Sequence, residues 1–230
     1  MKRPQPFTIA LIMLTAGAFV LRLPFLGDRV MHTDEAVQTV KTGELLETGR
    51  YVYDPHEYHG PTLQYLSVPF IWLSGATTFV DSTEVSYRMV PVVLGTALVL
   101  LLLLIVDGIG KWPVLCAALL TAISPAMTYY SRYYIHEMAL VVSSFLAMAA
   151  AWRYTRTGSL GWAVTAVTAV GLMHASKETC AISFIAMAAG IAAVVAWHKW
   201  VEKKPLDLEP FTDRKKLAWS FGVAFAVWFL

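Results

Sequence analysis

Long apolar runs, separated by short polar segments, dominate the chain. An α-helix needs about 20 mostly apolar residues to cross the hydrocarbon core of a bilayer, and several runs approach or exceed that length. The pattern therefore predicts an all-α protein, a polytopic bundle of transmembrane helices. The runs cover about residues 7–26, 62–80, 89–106, 112–128, 138–151, 160–175, 179–197 and 217–230.

Composition supports a membrane protein and argues against other classes. Hydrophobic residues make up 57% of the 230 residues and charged residues only 15%, whereas a soluble domain is about 25% charged. The formal net charge of +2 indicates no particular partner. No basic stripe alternates with aromatic residues on a soluble face, so nucleic-acid binding is not expected.

The first run, residues 7–26, has two interpretations. One is a cleaved signal peptide, because residues 16–18 read Ala-Gly-Ala, as at a cleavage site. We favour an uncleaved span, because the apolar character continues to Leu26 and gives a full crossing length. Arg22 then lies near the outer end of the span, where its long side chain is expected to reach the headgroups.

The positions of lysine and arginine predict how the chain threads the membrane. Basic loops tend to stay on the cytoplasmic side, which places the N-terminus inside and favours the inside for segments 153–156 and 198–216. These assignments agree only if one run before residue 153 fails to cross. The run 62–80 contains proline, glycine and glutamine, so we predict that it lies along the outer surface or dips in and returns.

The threading predicts one transmembrane module over residues 1–230, with about seven spans. Residues 28–88 form an outer-face loop that carries amphipathic juxtamembrane helices. The chain stops inside the apolar run 217–230 without a polar cap, and we expect it to be the N-terminal part of a longer protein.

Charged and metal-capable residues concentrate in three places that this threading brings to the outer face. The places follow the first span, precede the run 138–151 and precede the run 179–197. A charge beside lipid is costly without a partner or a task, so such residues mark functional sites by default. We therefore expect one shared site, formed by Asp34, Glu35, Arg132, His136, Glu137, Lys177 and Glu178.

The first place begins with Thr33, a plausible N-cap that puts Asp34 and Glu35 in the first turn of a helix. Negative charge there suits the helix dipole, so an ordinary amphipathic interface helix is one interpretation. An adjacent acid pair just after a membrane exit is also suited to proton abstraction or to metal binding. The same outer loop carries His56 and His59, a weak metal signal but a reasonable substrate-contacting stretch.

The second and third places have structural interpretations as well. Four tyrosines between residues 129 and 134 fit an aromatic belt at the interface, but a belt does not explain Arg132, His136 and Glu137. An internal Arg132–Glu137 salt bridge is the structural alternative. In the third place, Lys177 either neutralises the adjacent Glu178 or meets a phosphate as a point charge.

The order and spacing of these residues resemble membrane glycosyltransferases of the GT-C type, in particular the dolichyl-phosphate-mannose protein mannosyltransferase and aminoarabinose transferase-like group (glycosyltransferase family 39). The resemblance covers about residues 20–200. The shared motifs are an acid pair after the first span, an arginine–proline helix start, a Ser-Pro helix followed by a Ser-Arg-aromatic stretch ending in an acid, and a lysine loop. Here they read Asp34-Glu35, Arg88-Met89-Val90-Pro91, Ser124-Pro125, Ser131-Arg132-Tyr133-Tyr134-Ile135-His136-Glu137 and Ser176-Lys177.

The resemblance implies an inverting hexosyl or pentosyl transferase. It would move a sugar from a polyprenyl-phosphate carrier to a glycan, lipid or protein acceptor. Because the donor diffuses in the membrane plane, the site belongs at an interface. The implied location is the inner (plasma) membrane, in a multi-pass protein whose site faces the periplasm or the cell exterior.

The resemblance also implies residue roles, with Asp34, Glu35 and Glu137 as the catalytic acids. Asp34 is expected to be the general base for the acceptor hydroxyl. The leaving phosphate needs a cation, which Lys177 and Arg132 can supply. The other expected substrate contacts are His59, Tyr133 and His136.

A divalent cation, Mg²⁺ or Mn²⁺, is the alternative source of positive charge for the leaving phosphate. Glu35 and Glu137, together with His136, are its expected ligands.

Two other functions use the same residues. A translocator of lipid-linked sugars, or its accessory, would need the phosphate-binding cations but no base. Carriers place polar residues near mid-membrane on broken helices, whereas this chain concentrates them at one face. A non-catalytic membrane subunit is the remaining alternative.

Overall fold

The computed structural model describes residues 5–53, 56, 59–203 and 222. Within them the structure is helical, and one isolated antiparallel bridge pairs His59 with Lys177. The helices are α1 Pro6–Arg22, α2 Thr33–Thr48, α3 Thr62–Leu73, α4 Glu84–Leu101, α5 Val106–Ile109, α6 Lys111–Ile123, α7 Pro125–Tyr130, α8 Glu137–Thr157, α9 Leu160–His174 and α10 Cys180–Trp197. A 3₁₀ turn joins α4 to α5, and a π turn extends α10.

Three helical segments are long and apolar enough to cross a membrane. They are Glu84–Ile109 with 26 residues, Glu137–Thr157 with 21 and Cys180–Glu202 with 23. Helices α1, α6 and α9 are apolar and shorter. These helices confirm the predicted all-α transmembrane bundle. The predicted run 217–230 lies outside the described residues except for Gly222, as does the basic loop beyond Lys203.

The run 62–80 forms α3, which has 12 residues and is therefore about 18 Å long at about 1.5 Å per residue. That is well short of the roughly 30 Å hydrocarbon core, but α6 and α9 are also short, so helix length alone does not distinguish α3 from them and its position outside the core stays a prediction. Helix α3 packs against the predicted outer-face helix α2 and against α4. The chain leaves α3 through Gly75 at φ +86°, a backbone conformation that glycine adopts without strain.

Two helix boundaries differ from the apolar runs. Helix α4 begins at Glu84, five residues before the run 89–106, because Thr83 and Ser86 form a capping box there. The run 112–128 is divided at Ser124, whose side chain caps α7 ahead of Pro125. Proline has no N–H to donate and is well placed in the first turn of a new helix.

Arg22 does not extend to the headgroups as expected. Its side chain is fully buried and donates hydrogen bonds to the carbonyl oxygens of Ala18, at 2.9 Å, and Ala122, at 3.1 Å. Ala122 lies in the last turn of α6, where carbonyl groups lack intrahelical partners and attract positive charge. Arg22 therefore fastens the end of α1 to the end of α6.

The bundle has a clear order of packing. Helices α1, α4 and α6 pack against one another around a core that includes Leu11, Val99 and Val114. Helix α4 also packs against α8, and α8 forms a hairpin with α9. Helix α10 lies beyond α9, so the α1–α6 pair and the α9–α10 pair lie toward opposite sides of the bundle.

Candidate functional site

Helix α2 begins with a capping box that holds the predicted acid pair. The N-cap is His32, one residue before the expected Thr33, and its ring accepts a hydrogen bond from the Asp34 N–H. The Glu35 carboxylate reaches back to the His32 N–H at 3.1 Å. The cap turns the two acids in different directions, since Glu35 is buried and Asp34 is exposed.

Glu35 is the most completely engaged polar side chain of the site. Its Oε1 accepts from Arg88 Nε at 2.9 Å and from the Tyr134 N–H at 3.0 Å. Its Oε2 accepts from Arg88 Nη2 at 3.0 Å and from Arg29 Nη2 at 2.9 Å. Burial favours the neutral acid, but the hydrogen bonds from Arg88, Tyr134 and His32 outweigh it and lower the pKa of Glu35. Glu35 is therefore an ionised anchor.

This anchor joins elements that lie far apart in sequence. It links the start of α2 to α4 through Arg88 and to the segment before α8 through Tyr134. The sequence marked Arg88 as part of a helix-start motif but did not predict that it pairs with Glu35. The sequence carries no local signal for the pair; the only hint is that an acid and an arginine both occupy motif positions beside apolar runs, where a charge needs a partner or a task.

Asp34 presents a carboxylate to the outer side. Its side chain is 67% exposed, and its nearest ionic neighbour is His32, with Nδ1 and Oδ2 3.6 Å apart. The ring of Tyr133 lies 5.9 Å from the ring of His32, and the guanidinium of Arg29 lies over Tyr133 at 5.0 Å. Burial, and then the negative charge of Asp34, raise the pKa of Tyr133 to about 12, so its hydroxyl stays protonated.

Tyr134 holds the segment before α8 against the juxtamembrane helices. Its hydroxyl lies 2.8 Å from that of Thr42 in α2 and 2.7 Å from that of Ser67 in α3. The ring is fully buried, and burial raises the pKa of Tyr134 above its ordinary value. Of the four tyrosines predicted as an aromatic belt, Tyr133 and Tyr134 are buried, while Tyr129 and Tyr130 are exposed.

His136 and His59 lie edge to face, with ring centroids 4.8 Å apart. His136 is fully buried and its Nε2 lies 3.1 Å from the Gly60 carbonyl oxygen, so Nε2 carries a proton and donates it. Burial first, and then the positive charge of His59, lower the pKa of His136 to about 3. His136 is therefore neutral at physiological pH, and its other nitrogen is free of the proton.

The loop around His59 is strapped to the loop between α9 and α10. The bridge between His59 and Lys177 is supported by a hydrogen bond of 3.3 Å from the Gly60 N–H to the Ser176 carbonyl. The two backbones approach so closely that a Cβ atom at Gly60 would lie 1.9 Å from the Ala175 oxygen. Only glycine fits there, and the strap places Lys177 beside the histidines.

Lys177 pairs with Glu137 rather than with the adjacent acid. Its Nζ lies 2.6 Å from Glu137 Oε1, whereas Glu178 lies 3.6 Å from Nδ1 of His59. The alternative of an Arg132–Glu137 salt bridge is also wrong, because Arg132 donates to the Pro24 carbonyl and lies at the opposite end of the 132–137 segment. The second oxygen of Glu137 is buried without a hydrogen-bond partner among the described residues.

Arg132 belongs to a separate cationic pocket. The pocket has a volume of about 470 Å³ and lies at the outer end of α1, next to α7. Arg29 and Arg88 line it together with Arg132. The two cations predicted for one phosphate, Lys177 and Arg132, therefore flank the Tyr133–His136 stretch on different sides.

The residues predicted to hold a divalent cation do not fit that role together. Among the described residues, no group of three or more His, Cys, Asp or Glu side chains is placed to hold a metal ion. Both oxygens of Glu35 accept hydrogen bonds from cationic or backbone donors, and Glu137 is paired with Lys177. Hard divalent cations need several free oxygen ligands, and Glu35 and Glu137 do not offer them together in this arrangement.

Comparison with known proteins identifies the architecture. Residues 67–208 match the family model described as dolichyl-phosphate-mannose-protein mannosyltransferase. No curated protein sequence matches the chain.

Two solved structures share the fold. One is the S. cerevisiae protein O-mannosyltransferase Pmt1-Pmt2 complex bound to the sugar donor, with a TM-score of 0.69 and 19% identity over 99% of this chain and 33% of that chain. The other is ArnT from Cupriavidus metallidurans bound to undecaprenyl phosphate, with a TM-score of 0.73 and 15% identity over 96% of this chain and 41% of that chain. The chain thus spans a third to two fifths of these relatives, and the likeness concerns the fold.

Proposed function

Because the chain belongs to the dolichyl-phosphate-mannose-protein mannosyltransferase family, we propose that it carries the donor-handling part of a membrane glycosyltransferase. The enzyme would transfer a sugar from a polyprenyl phosphate to an acceptor at the outer face, with inversion. The observation that supports this most directly is the joining of the three polar places into one site. The Tyr134 N–H donates to Glu35, the neighbour of the open carboxylate Asp34, and Glu137, in the segment that follows Tyr134, pairs with Lys177.

Asp34 is the general base of the proposal. A base must accept the proton of the acceptor hydroxyl, so it has to be reachable from outside and still be held in place. Asp34 satisfies both conditions, because its side chain is 67% exposed and its backbone is fixed by the His32 cap. Glu35, the other predicted acid, holds the start of α2 and thereby positions Asp34.

Lys177 is the cation for the leaving phosphate. Its side chain is 21% exposed, so its charge is partly shielded from water and acts more strongly on an anion. Glu137 holds the ammonium in place at 2.6 Å until a phosphate competes for it. In this arrangement Glu137 is a positioning acid for Lys177.

The proposed reaction is a single displacement at C1 of the sugar. The acceptor oxygen forms a bond to C1 while the bond from C1 to the phosphate oxygen breaks. The acceptor proton passes to Asp34, and the prenyl phosphate leaves with its charge opposite Lys177. Attack from the face opposite the leaving group inverts the anomeric carbon.

The aromatic and imidazole groups provide the remaining substrate contacts of the proposal. Tyr133 is mostly buried and remains protonated beside Asp34, so its small exposed part is what the proposal brings into contact with a sugar or an acceptor. His59 lies between Glu178 and His136, next to Lys177. His136 supports this group from beneath through its hydrogen bond to Gly60.

A membrane-borne donor fits the position of this site. Two proteins of the same fold were solved with such molecules, one with the sugar donor and the other with undecaprenyl phosphate. The proposed groups lie at the start of α2, in the segments that precede α3 and α8, at the start of α8 and in the loop before α10, all next to the ends of helices. With basic loops inside, this face is the periplasmic or extracellular side of the inner membrane.

The test is transfer of labelled sugar from a polyprenyl-phosphate donor by the full-length protein in lipid. The variant Asp34→Asn keeps the shape of the side chain and removes the base, and we expect transfer to fall by about a hundredfold or more. Glu44→Gln, at an exposed position of the same helix, is the matched control and should transfer like the wild type. Unchanged transfer by Asp34→Asn would rule out Asp34 as the base.

A further inference from the structure

An apolar groove on the membrane face runs between α1 and α6 and has a volume of about 710 Å³. Its lining extends from Ala10 and Trp112 at the inner end to Leu21 and Ile123 at the outer end, and it contains apolar residues and Cys116. The lining covers about three helical turns, or roughly 16 Å at 1.5 Å per residue. This length matches one leaflet of a hydrocarbon core that is roughly 30 Å thick.

The groove continues into the cationic pocket that Arg29, Arg88 and Arg132 line, which we call the arginine pocket. Leu21 and Ile123 line both cavities, so the apolar groove opens at its outer end onto Arg29, Arg88 and Arg132. The pocket and the groove together have the shape and polarity of an amphiphile, apolar along the helices and cationic at the interface.

The arginine pocket has more positive charge than the proposed chemistry uses. Arg29 and Arg88 share a single acid, Glu35. Arg132 contacts carbonyl oxygen through its guanidinium, and its buried Nε has no hydrogen-bond partner among the described residues. Three arginines against one carboxylate leave an excess of positive charge, and no acid of the described part of the chain lines the pocket. Arginine forks match phosphate geometry closely.

We propose that the groove and the arginine pocket bind one anionic glycerophospholipid of the outer leaflet. Its acyl chains lie along α1 and α6, and its phosphodiester faces Arg132 and Arg29. The groove is as long as one leaflet is deep, which suits acyl chains, and it opens sideways to the bilayer, from which such lipids are supplied. This site goes beyond the proposed transfer reaction and does not depend on it.

The lipid site is distinct from the position proposed for the donor phosphate. Lys177 lies between α9 and α10, whereas the groove lies between α1 and α6 on the other side of α4 and α8. A lipid held at Arg132 fixes the start of the 132–137 segment, and Tyr133 and Glu137 follow in that segment. Bound lipid would therefore stabilise the positions of Tyr133 and Glu137 without taking part in the chemistry.

The test measures lipid retained by the full-length protein, using native mass spectrometry after delipidation and re-addition of defined lipid. The probes are palmitoyl-oleoyl phosphatidylglycerol and palmitoyl-oleoyl phosphatidylcholine, which have the same tails. We expect at least about fivefold preferential retention of the anionic lipid. Arg132→Gln should lower that retention about tenfold, consistent with loss of a charge-assisted contact worth about 1.4 kcal/mol.

The groove itself is tested by filling it. A Cβ at Gly17, which lines the groove, meets nothing within 4 Å, so Gly17→Leu extends a side chain from an open position into space that the acyl chains would need. Gly190 on α10 is equally open and exposed to lipid, so Gly190→Leu makes the same chemical change elsewhere. Arg50→Gln, at an exposed position of the outer loop, is the charge control. Only Gly17→Leu should release the anionic lipid, while both control variants should retain it.

Three results would overturn the proposal. The first is equal retention of the two probes, which would indicate ordinary annular lipid. The second is unchanged retention in Gly17→Leu and Arg132→Gln, with wild-type unfolding temperatures for both variants. The third is displacement of phosphatidylglycerol by undecaprenyl phosphate together with loss of phosphatidylglycerol in Lys177→Met, which would assign the cavity to the sugar carrier. None of these readouts depends on transfer activity, so a failed transferase proposal leaves the lipid test intact.

Discussion

The guanidinium of Arg88 holds the carboxylate of Glu35 through two parallel hydrogen bonds, Nε to Oε1 at 2.9 Å and Nη2 to Oε2 at 3.0 Å. Both side chains are buried. A bidentate pair of this kind is strong and has a fixed geometry. Because Glu35 opens α2 and Arg88 lies in α4, the pair sets the position of the exposed acid Asp34 relative to the membrane bundle.

Glu35→Gln is expected to destabilise the protein strongly. Removing one partner of a buried ion pair leaves the other charge uncompensated, at a cost of about 3–5 kcal/mol. Here two arginines, Arg88 and Arg29, lose their shared acid. The measurement is the free energy of unfolding in detergent or nanodiscs, with Glu44→Gln as the exposed control. An unfolding free energy within about 0.5 kcal/mol of the wild type would show that the pair contributes little.

Much of the architecture could be predicted from the sequence because lipid imposes a simple rule on it. Spanning helices must be long and apolar, so the runs identified most helices. Counting basic loops predicted that 62–80 does not cross; the helix that forms there, α3, has 12 residues, and the threading itself stays a prediction. The polar residues at the ends of these runs were predicted to gather, and contacts such as Tyr134 with Glu35 and Lys177 with Glu137 link them.

The partners of individual charges could not be predicted, because they are set by tertiary packing. The Glu35–Arg88 pair joins positions 53 residues apart, and no local pattern indicates it. Lys177 pairs with Glu137 and not with its sequence neighbour Glu178, because the backbone pairing at Gly60 orients the Lys177 loop toward Glu137. Arg22 was expected to reach the headgroups, but the carbonyl groups at the end of α6 were closer. The roles of Asp34, Glu137 and Lys177 in catalysis stay predictions.

His136 is expected to make the protein less stable in mild acid. The pKa of His136 is about 3 in the folded protein and 6.5 ordinarily. Between these two pH values the unfolded chain therefore binds a proton on His136 and the folded protein does not. The stability that depends on a neutral His136 is fully present above pH 6.5 and is lost progressively as the pH falls toward 3. His136→Gln can still donate to Gly60 but does not titrate in this range. The difference in unfolding temperature between wild type and variant should therefore change with pH across this window, and a constant difference would contradict the assignment.

Gly60→Ala is expected to open the strap between the His59 and Lys177 loops. The added methyl group would lie 1.9 Å from the Ala175 oxygen, so the two backbones must separate. We expect faster hydrogen exchange in residues 59–62 and 175–178 and reduced transfer. Gly161→Ala is the control, since its Cβ would meet only the Ser159 hydroxyl at 3.7 Å. Unchanged exchange in the strap of Gly60→Ala would show that the approach is not tight in solution.

Lys177→Met tests whether a positioned cation drives departure of the phosphate. Methionine keeps much of the length and apolar stem but removes the charge that faces Glu137. Because the phosphate gains negative charge as the sugar leaves, the cation acts mainly in the transition state. We therefore expect kcat for sugar transfer to fall by about a hundredfold or more, with a smaller change in KM for the donor. Lys199→Met, at an exposed position after α10, is the matched control and should leave both constants unchanged.

Glu137→Gln separates the two members of the pair. This variant keeps the ammonium of Lys177 and removes the acid that holds it at 2.6 Å. If Glu137 only positions Lys177, the variant should lose less activity than Lys177→Met, and the double variant should be no worse than Lys177→Met alone, because both changes affect one unit. Losses that simply multiply in the double variant would instead indicate that Glu137 acts on the substrate independently of Lys177.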